Sequence, residues 1–114
     1  MLSALGGLPR EHESVQAVVE SIASAYNTLG NAYDASGNKL AALAAYERAC
    51  ALQPDFAMWQ RNRAGTLIEL GRLDEAAAAI ATARQLEPEA ARLNELDAEL
   101  AQAQNPTSAP GANP

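Results

Sequence analysis

Apolar residues fall at Val15, Val18, Val19, Ile22, Tyr26, Leu29 and Tyr33. Steps of three and four trace one stripe along a helix, and no Gly or Pro interrupts it before Gly30. The spacing predicts a single long helix over 10–36. Before it, 1–9 contain Gly6, Gly7 and Pro9 and hold no period, so they read as a flexible arm, with Pro9 suited to a first helical turn. Gly37 supplies the left-handed conformation that commonly ends a helix. A second helix follows over 39–52, with Ala42, Ala45, Ala49 and Leu52 toward helix one and Tyr46 filling the space between turns. Pro54 cannot continue it, and Asp55 is placed to cap the next. Helices over 55–70 and 74–86 meet at "LGRLDEA", where Gly71 ends the first and Asp74 can cap the second. The stretch 89–104 puts Leu93, Leu96, Leu100 and Ala103 on one face and charge on the other, which reads as a capping helix. The tail 105–114 has three prolines and no large apolar residue, the composition of a disordered segment.

The pattern is written twice. Gly37 and Gly71, Ala42 and Ala76, Ala49 and Ala83, Leu52 and Leu86, and Pro54 and Pro88 are each 34 positions apart. A period of that length means stacked supersecondary units, here an all-α, short α-solenoid of antiparallel helix pairs within a domain spanning 10–104. The residues "LGNAYDASGNKLAALAAYERACALQP" resemble a tetratricopeptide (TPR) repeat, with units at 23–56 and 57–90 and the cap at 89–104. The first unit matches the family pattern at Tyr26, Leu29, Gly30, Tyr33, Ala42, Tyr46, Ala49 and Pro54. The second is looser: its first-helix aromatic comes one place early, as Trp59, and Arg63 replaces a usual Leu. Two units and a cap fall below the three or so repeats that usually make a stable array, so the flanking helices or a second chain must complete the core.

The resemblance implies a noncatalytic interaction module or scaffold that holds a protein or peptide segment in a concave groove lined by the first helix of each unit. Its groove positions here include Asn27, Asn31 and Asp34, then Arg61, Asn62, Gly65 and Glu69, with Arg92 from the cap. Some members grip a C-terminal carboxylate with two Asn and three basic residues. Asn31, Asn62 and Arg92 match three of those places, but Asn27 and Leu96 stand where basic residues are required. A polar peptide site centred on Asn31, Arg61, Asn62 and Arg92 is the better expectation.

The first half of the long helix raises a second expectation. Val15, Val18, Val19 and Ile22 have no obvious partner among the later helices, and an uncovered apolar stripe usually marks a contact. Self-association into a homodimer is the simplest cover; a bend near 21–24 that folds the helix back is the competitor.

Composition and charge narrow the function classes. The 114 residues are 48% hydrophobic with few aromatics, which suits close-packed Ala and Leu helices. A formal charge of −6 argues against nonspecific binding of nucleic acid or an anionic membrane, both of which need excess Lys and Arg. Glu87, Glu89, Glu95, Asp97 and Glu99 crowd the C-terminal region with only Arg92 among them, a pattern that keeps a face solvated and favours a basic partner over an acidic one. No run reaches the roughly 18 apolar residues of a membrane span, and "MLSALGGLPR" lacks the features of a secretory signal, so the expected location is cytoplasmic. His12 lies among Glu11 and Glu13 with no Cys nearby, and Cys50 sits beside Ala49 as a packing residue. With no phosphate-binding Gly loop and no paired titratable residues, the expectation is no enzyme, no cofactor and no metal.

Overall fold

The computed structural model describes residues 2–105, with side chains from Val15 onward. Five α-helices follow in order: α1 Leu2–Ala35, α2 Lys39–Leu52, α3 Ala57–Glu69, α4 Leu73–Leu86 and α5 Ala91–Gln104. Each packs on its neighbour in the chain, and α5 also reaches back to α3. The described residues form a short helical solenoid, 78 × 30 × 19 Å along its principal axes.

Much of that length belongs to α1, whose 34 residues span about 51 Å at 1.5 Å per residue. It is one helix, so the fold-back near 21–24 does not occur. Its start is a correction: helix begins at Leu2, not near residue 10, and takes in Gly6, Gly7 and Pro9. Gly lowers helix propensity by about 1 kcal/mol, and Pro removes one backbone bond while holding a helical φ. None of the three reverses the chain. Of the expected tail, all but Asn105 lies outside the described residues.

The two turns within the hairpins are built alike. Gly37 has φ 85° and Gly71 φ 78°, the left-handed region that a side chain would strain. Around them, Gly37 N donates to Asp34 O and Asn38 N to Tyr33 O, and Gly71 N to Ile68 O and Arg72 N to Leu67 O. Each pair is a Schellman closure, which satisfies carbonyls that a helix end leaves open. Asn38 then caps α2 by accepting from Ala41 N at 3.1 Å. The expected Asp caps are corrected. Helix α3 starts after Phe56 and α4 after Arg72, and neither has a side-chain cap. Asp55 lies in the turn that follows Pro54, while the closure at Arg72 starts α4 early enough that Asp74 falls inside its first turn. There its charge still opposes the positive end of the helix dipole.

Small residues set the helix spacing. Ala42, Ala49, Ala76 and Ala83 are completely buried where paired helices meet. Leu67, Leu93 and Leu96 fill the larger core between α3, α4 and α5, and α5 thereby closes the C-terminal end of the array. A second cluster joins Ala23, Ala49, Cys50 and Trp59 across α1, α2 and α3. Arg63, at its family position usually held by Leu, places its Nε 3.5 Å from Glu47 of α2, so an ion pair occupies the space an apolar contact would take.

Candidate functional site

One cleft of about 210 Å³ opens on the face where α1, α3 and α5 converge, and its lining is mostly polar. Asn31 and Asp34 come from α1, Tyr46 from α2, Arg61, Asn62, Gly65, Thr66 and Glu69 from α3, and Arg92 from α5. Helical spacing explains the convergence. On α3, residues 61, 62, 65, 66 and 69 lie on one face in steps of one and three, and 31 and 34 share a face of α1. Seven of the eight groove residues expected from the sequence line this cleft. The eighth, Asn27, lies one turn from Asn31 and accepts a hydrogen bond from Asn62 Nδ2.

The sequence reading missed Tyr46 and Thr66. Both are counted there as packing or passed over, yet each holds a groove residue in place. The Tyr46 hydroxyl donates to Asn31 Oδ1 at 2.7 Å. Burial, with the Asp34 carboxylate adding to it, pushes the Tyr46 phenol above its usual range, so the proton for that bond is retained. Thr66 Oγ1 donates to the backbone carbonyl of Asn62 at 3.2 Å. The signal for Tyr46 was available, since an aromatic hydroxyl buried between helices needs a partner.

These bonds orient both amides. With Oδ1 of Asn31 taken by Tyr46, its Nδ2 has no partner among the described residues. With Nδ2 of Asn62 given to Asn27, its Oδ1 has none either. The cleft therefore offers one free donor and one free acceptor, the complement of a peptide backbone's C=O and N–H.

The charged groups are all engaged within the chain. Lys39 bridges Asp34 of α1 and Glu69 of α3, and those hydrogen bonds, Asp34 first, hold its ammonium above the usual lysine range. Arg61 pairs with Glu87 after α4, and Arg92 with Glu95 at 3.1 Å and Glu99 at 2.7 Å. The carboxylate of each pair is largely open to solvent, which keeps such pairs weak, so a ligand carboxylate could replace one at little cost.

Cys50 is buried in the α1–α2–α3 cluster, and desolvation pushes its thiol up from 9.0 to about 11. A thiol protonated at neutral pH and hidden from solvent is a weak nucleophile. At pH 8 the folded chain should react with a thiol reagent many times more slowly than the unfolded chain; equal rates would place Cys50 at the surface. The sign of the linked pH effect follows. The folded state holds this proton more tightly, so between pH 9 and about 11 it binds more protons than the unfolded state, and stability falls as pH rises through that window.

Among the described residues no three His, Cys, Asp or Glu side chains gather to hold a metal, and no helix is long and apolar enough to cross a membrane. The side chain of His12 lies outside the described residues.

A family model described as tetratricopeptide repeat matches residues 23–56, the first of the two units. The matched unit and the five-helix, all-helical architecture together support a TPR-type repeat protein. No curated protein matches the chain. TPR repeats serve generally as protein–protein interaction modules, and the matched repeat supports that broad class here. The matched span includes Asn27, Asn31, Asp34 and Tyr46, so it supplies the α1 side and the α2 tyrosine of the cleft. The α3 and α5 sides belong to the second unit and the cap.

Proposed function

We propose that this TPR protein is a noncatalytic scaffold that binds an extended segment of a partner protein in the polar cleft between α1, α3 and α5. The observation that carries the reading is the pair of half-satisfied amides, Asn31 and Asn62, facing one cleft with a free donor and a free acceptor. An extended backbone presents both groups at each residue, so the two amides can fix its position without reading its side chains. Arg61 and Arg92 flank them and supply charge-assisted bonds to acidic groups of the segment, exchanging their own carboxylates for the partner's. Glu69 and Asp34, held by Lys39, set an acidic edge on the opposite flank. Gly65 leaves the floor open where any side chain would fill it.

The test is partner capture by the full chain against an Arg61→Ala/Asn62→Ala variant. Capture should fall by at least about 10-fold, while the helical melt shifts by no more than the loss of one exposed ion pair and one side-chain bond, about 1–2 kcal/mol. A Gly65→Ala variant gives a second arm. A Cβ there lies 3.6 Å from Arg92 Nη2 and 3.8 Å from Leu96 Cδ2, ordinary contact distances, so the fold accepts it while the cleft becomes shallower. Undiminished capture by both variants would place the binding site elsewhere.

A further inference from the structure

The two ends of the solenoid are treated differently. At the C-terminal end, α5 covers the groove between α3 and α4, burying Leu93 and Leu96 completely. The N-terminal end has an apolar groove of its own between α1 and α2, formed by Tyr26, Leu29, Tyr33, Ala41, Ala44 and Ala45 with Arg48 at its rim. Nothing in the described chain lies over it. Leu29 is 43% exposed, and Tyr26 and Tyr33 are half-buried.

The chain also has an apolar stripe without a groove. Beyond Ala23, where α1 leaves its contact with α2 and α3, Val15 is 63% exposed, Val18 55% and Ile22 42%, with Val19 half-buried. A helix of this length standing free in water is marginal even with good helix formers, and β-branched residues are not among them. Because the extension is a straight continuation of α1, it points away from its own groove and cannot turn back onto it. A second copy of the chain can supply what each lacks.

The dimensions are reciprocal. Val15 to Ile22 and Tyr26 to Tyr33 are each seven helical steps apart, about 10.5 Å of helix. An antiparallel pairing of two α1 helices about a two-fold axis at the level of residue 24 brings Ile22 to Tyr26 of the second copy. The same operation sets Val19 against Leu29 of the second copy and Val15 against its Tyr33. The contact is isologous and closed: each extension fills the other's groove, and neither apolar surface remains open. We infer that this protein is a homodimer in which the extension of α1, at Val15, Val18, Val19 and Ile22, serves as the missing N-terminal cap in the α1–α2 groove of a second copy. The interface lies away from the polar cleft and does not depend on the segment that cleft binds. Arg48 fits the arrangement as well. Among the residues with described side chains it is the one cation without an ion pair, and it stands at the rim that the acidic extension of the second copy crosses, with Glu20 on that extension.

Sedimentation equilibrium of the full chain at tens of micromolar should give about twice the 11.9 kDa chain mass. A Val18→Asp/Ile22→Asp variant and a Leu29→Asp/Ala44→Glu variant should each raise the dimer dissociation constant by at least about 30-fold. All four positions are exposed, so the repeat core should keep its melt. Mixing the two variants restores one intact half-interface, so the mixture should form a heterodimer although neither variant dimerises alone. A monomer at these concentrations overturns the inference. So does a dimer that survives the extension variant. Loss of dimer in the extension variant with retention in the groove variant also overturns it, since that result would mean two extensions pair with each other.

Discussion

Replacing Trp59 with alanine should destabilise the protein by about 3–5 kcal/mol, a large share of the about 5–15 kcal/mol that holds a domain of this size. Trp59 is 5% exposed and packs with Ala23 of α1 and with Ala49 and Cys50 of α2. It is the one large buried side chain in that cluster, with Tyr26 and Leu52 packed against its edge. Its ring also lies 4.5 Å from that of Phe56, and its Nε1 donates to Gln53 Oε1 at 3.0 Å. These contacts seal the first repeat to the second, and truncation leaves a ring-sized cavity whose buried walls, Ala23, Ala49 and Cys50, are too small to fill it. Urea denaturation of the variant checks the magnitude. A loss below about 1 kcal/mol would mean that Trp59 is not what couples the two units. Trp59→Phe should cost less, since it keeps the ring and loses mainly the bond to Gln53.

Gly30→Ala should cost about 1–3 kcal/mol, although the same change on an ordinary helix face stabilises. A Cβ at Gly30 would stand 2.5 Å from Tyr46 Cε1 and 2.6 Å from Cδ1, so the ring or the helix must move. Moving the ring also breaks the Tyr46 bond to Asn31 and releases one side of the cleft. The second repeat shows how the clash is avoided. At the equivalent positions it carries Ala64 and Ile80, an added methyl matched by a smaller partner, and both are buried. Gly30→Ala combined with Tyr46→Ile should therefore be more stable than the sum of the two single losses predicts, by about 0.5–3 kcal/mol of coupling. Strict additivity in thermal melts would show that the two sites do not share one space.

The comparison of the two repeats shows why so much was legible in advance. Gly37 and Gly71, the buried alanines and Pro54 and Pro88 act through local geometry, and local geometry is carried by residue type and spacing. Five helices, their order and the two turns follow from that. The caps were misplaced because Asp55 and Asp74 were chosen by residue type, whereas the closures at Gln53–Phe56 and Arg72 decide where each helix begins. The start of α1 was misplaced for a related reason. Gly6, Gly7 and Pro9 weaken a helix without ending it, and only a residue that reverses the chain ends one. At Arg63 the residue type announced a departure from the family, but its resolution, an ion pair to Glu47, required knowing which side chain on α2 stood opposite.

The cleft divides the same way. The resemblance to the TPR pattern is what assigned Asn31, Asp34, Arg61, Asn62, Gly65, Glu69 and Arg92 to one surface, since its groove positions recur one period apart on α1 and α3 and continue onto the cap. The free donor on Asn31 and the free acceptor on Asn62 come from tertiary structure. They exist because the Tyr46 hydroxyl and the Asn27 amide, on neighbouring helices, each take one half of an otherwise symmetric group. Sequence by itself determined that Val15, Val18, Val19 and Ile22 form an apolar stripe, and through the TPR resemblance it pointed to the groove residues. Tertiary structure decided that this stripe continues straight off α1 and away from the open α1–α2 groove. Periodicity describes the face of a helix, and only the placement of the other helices says which faces are left uncovered.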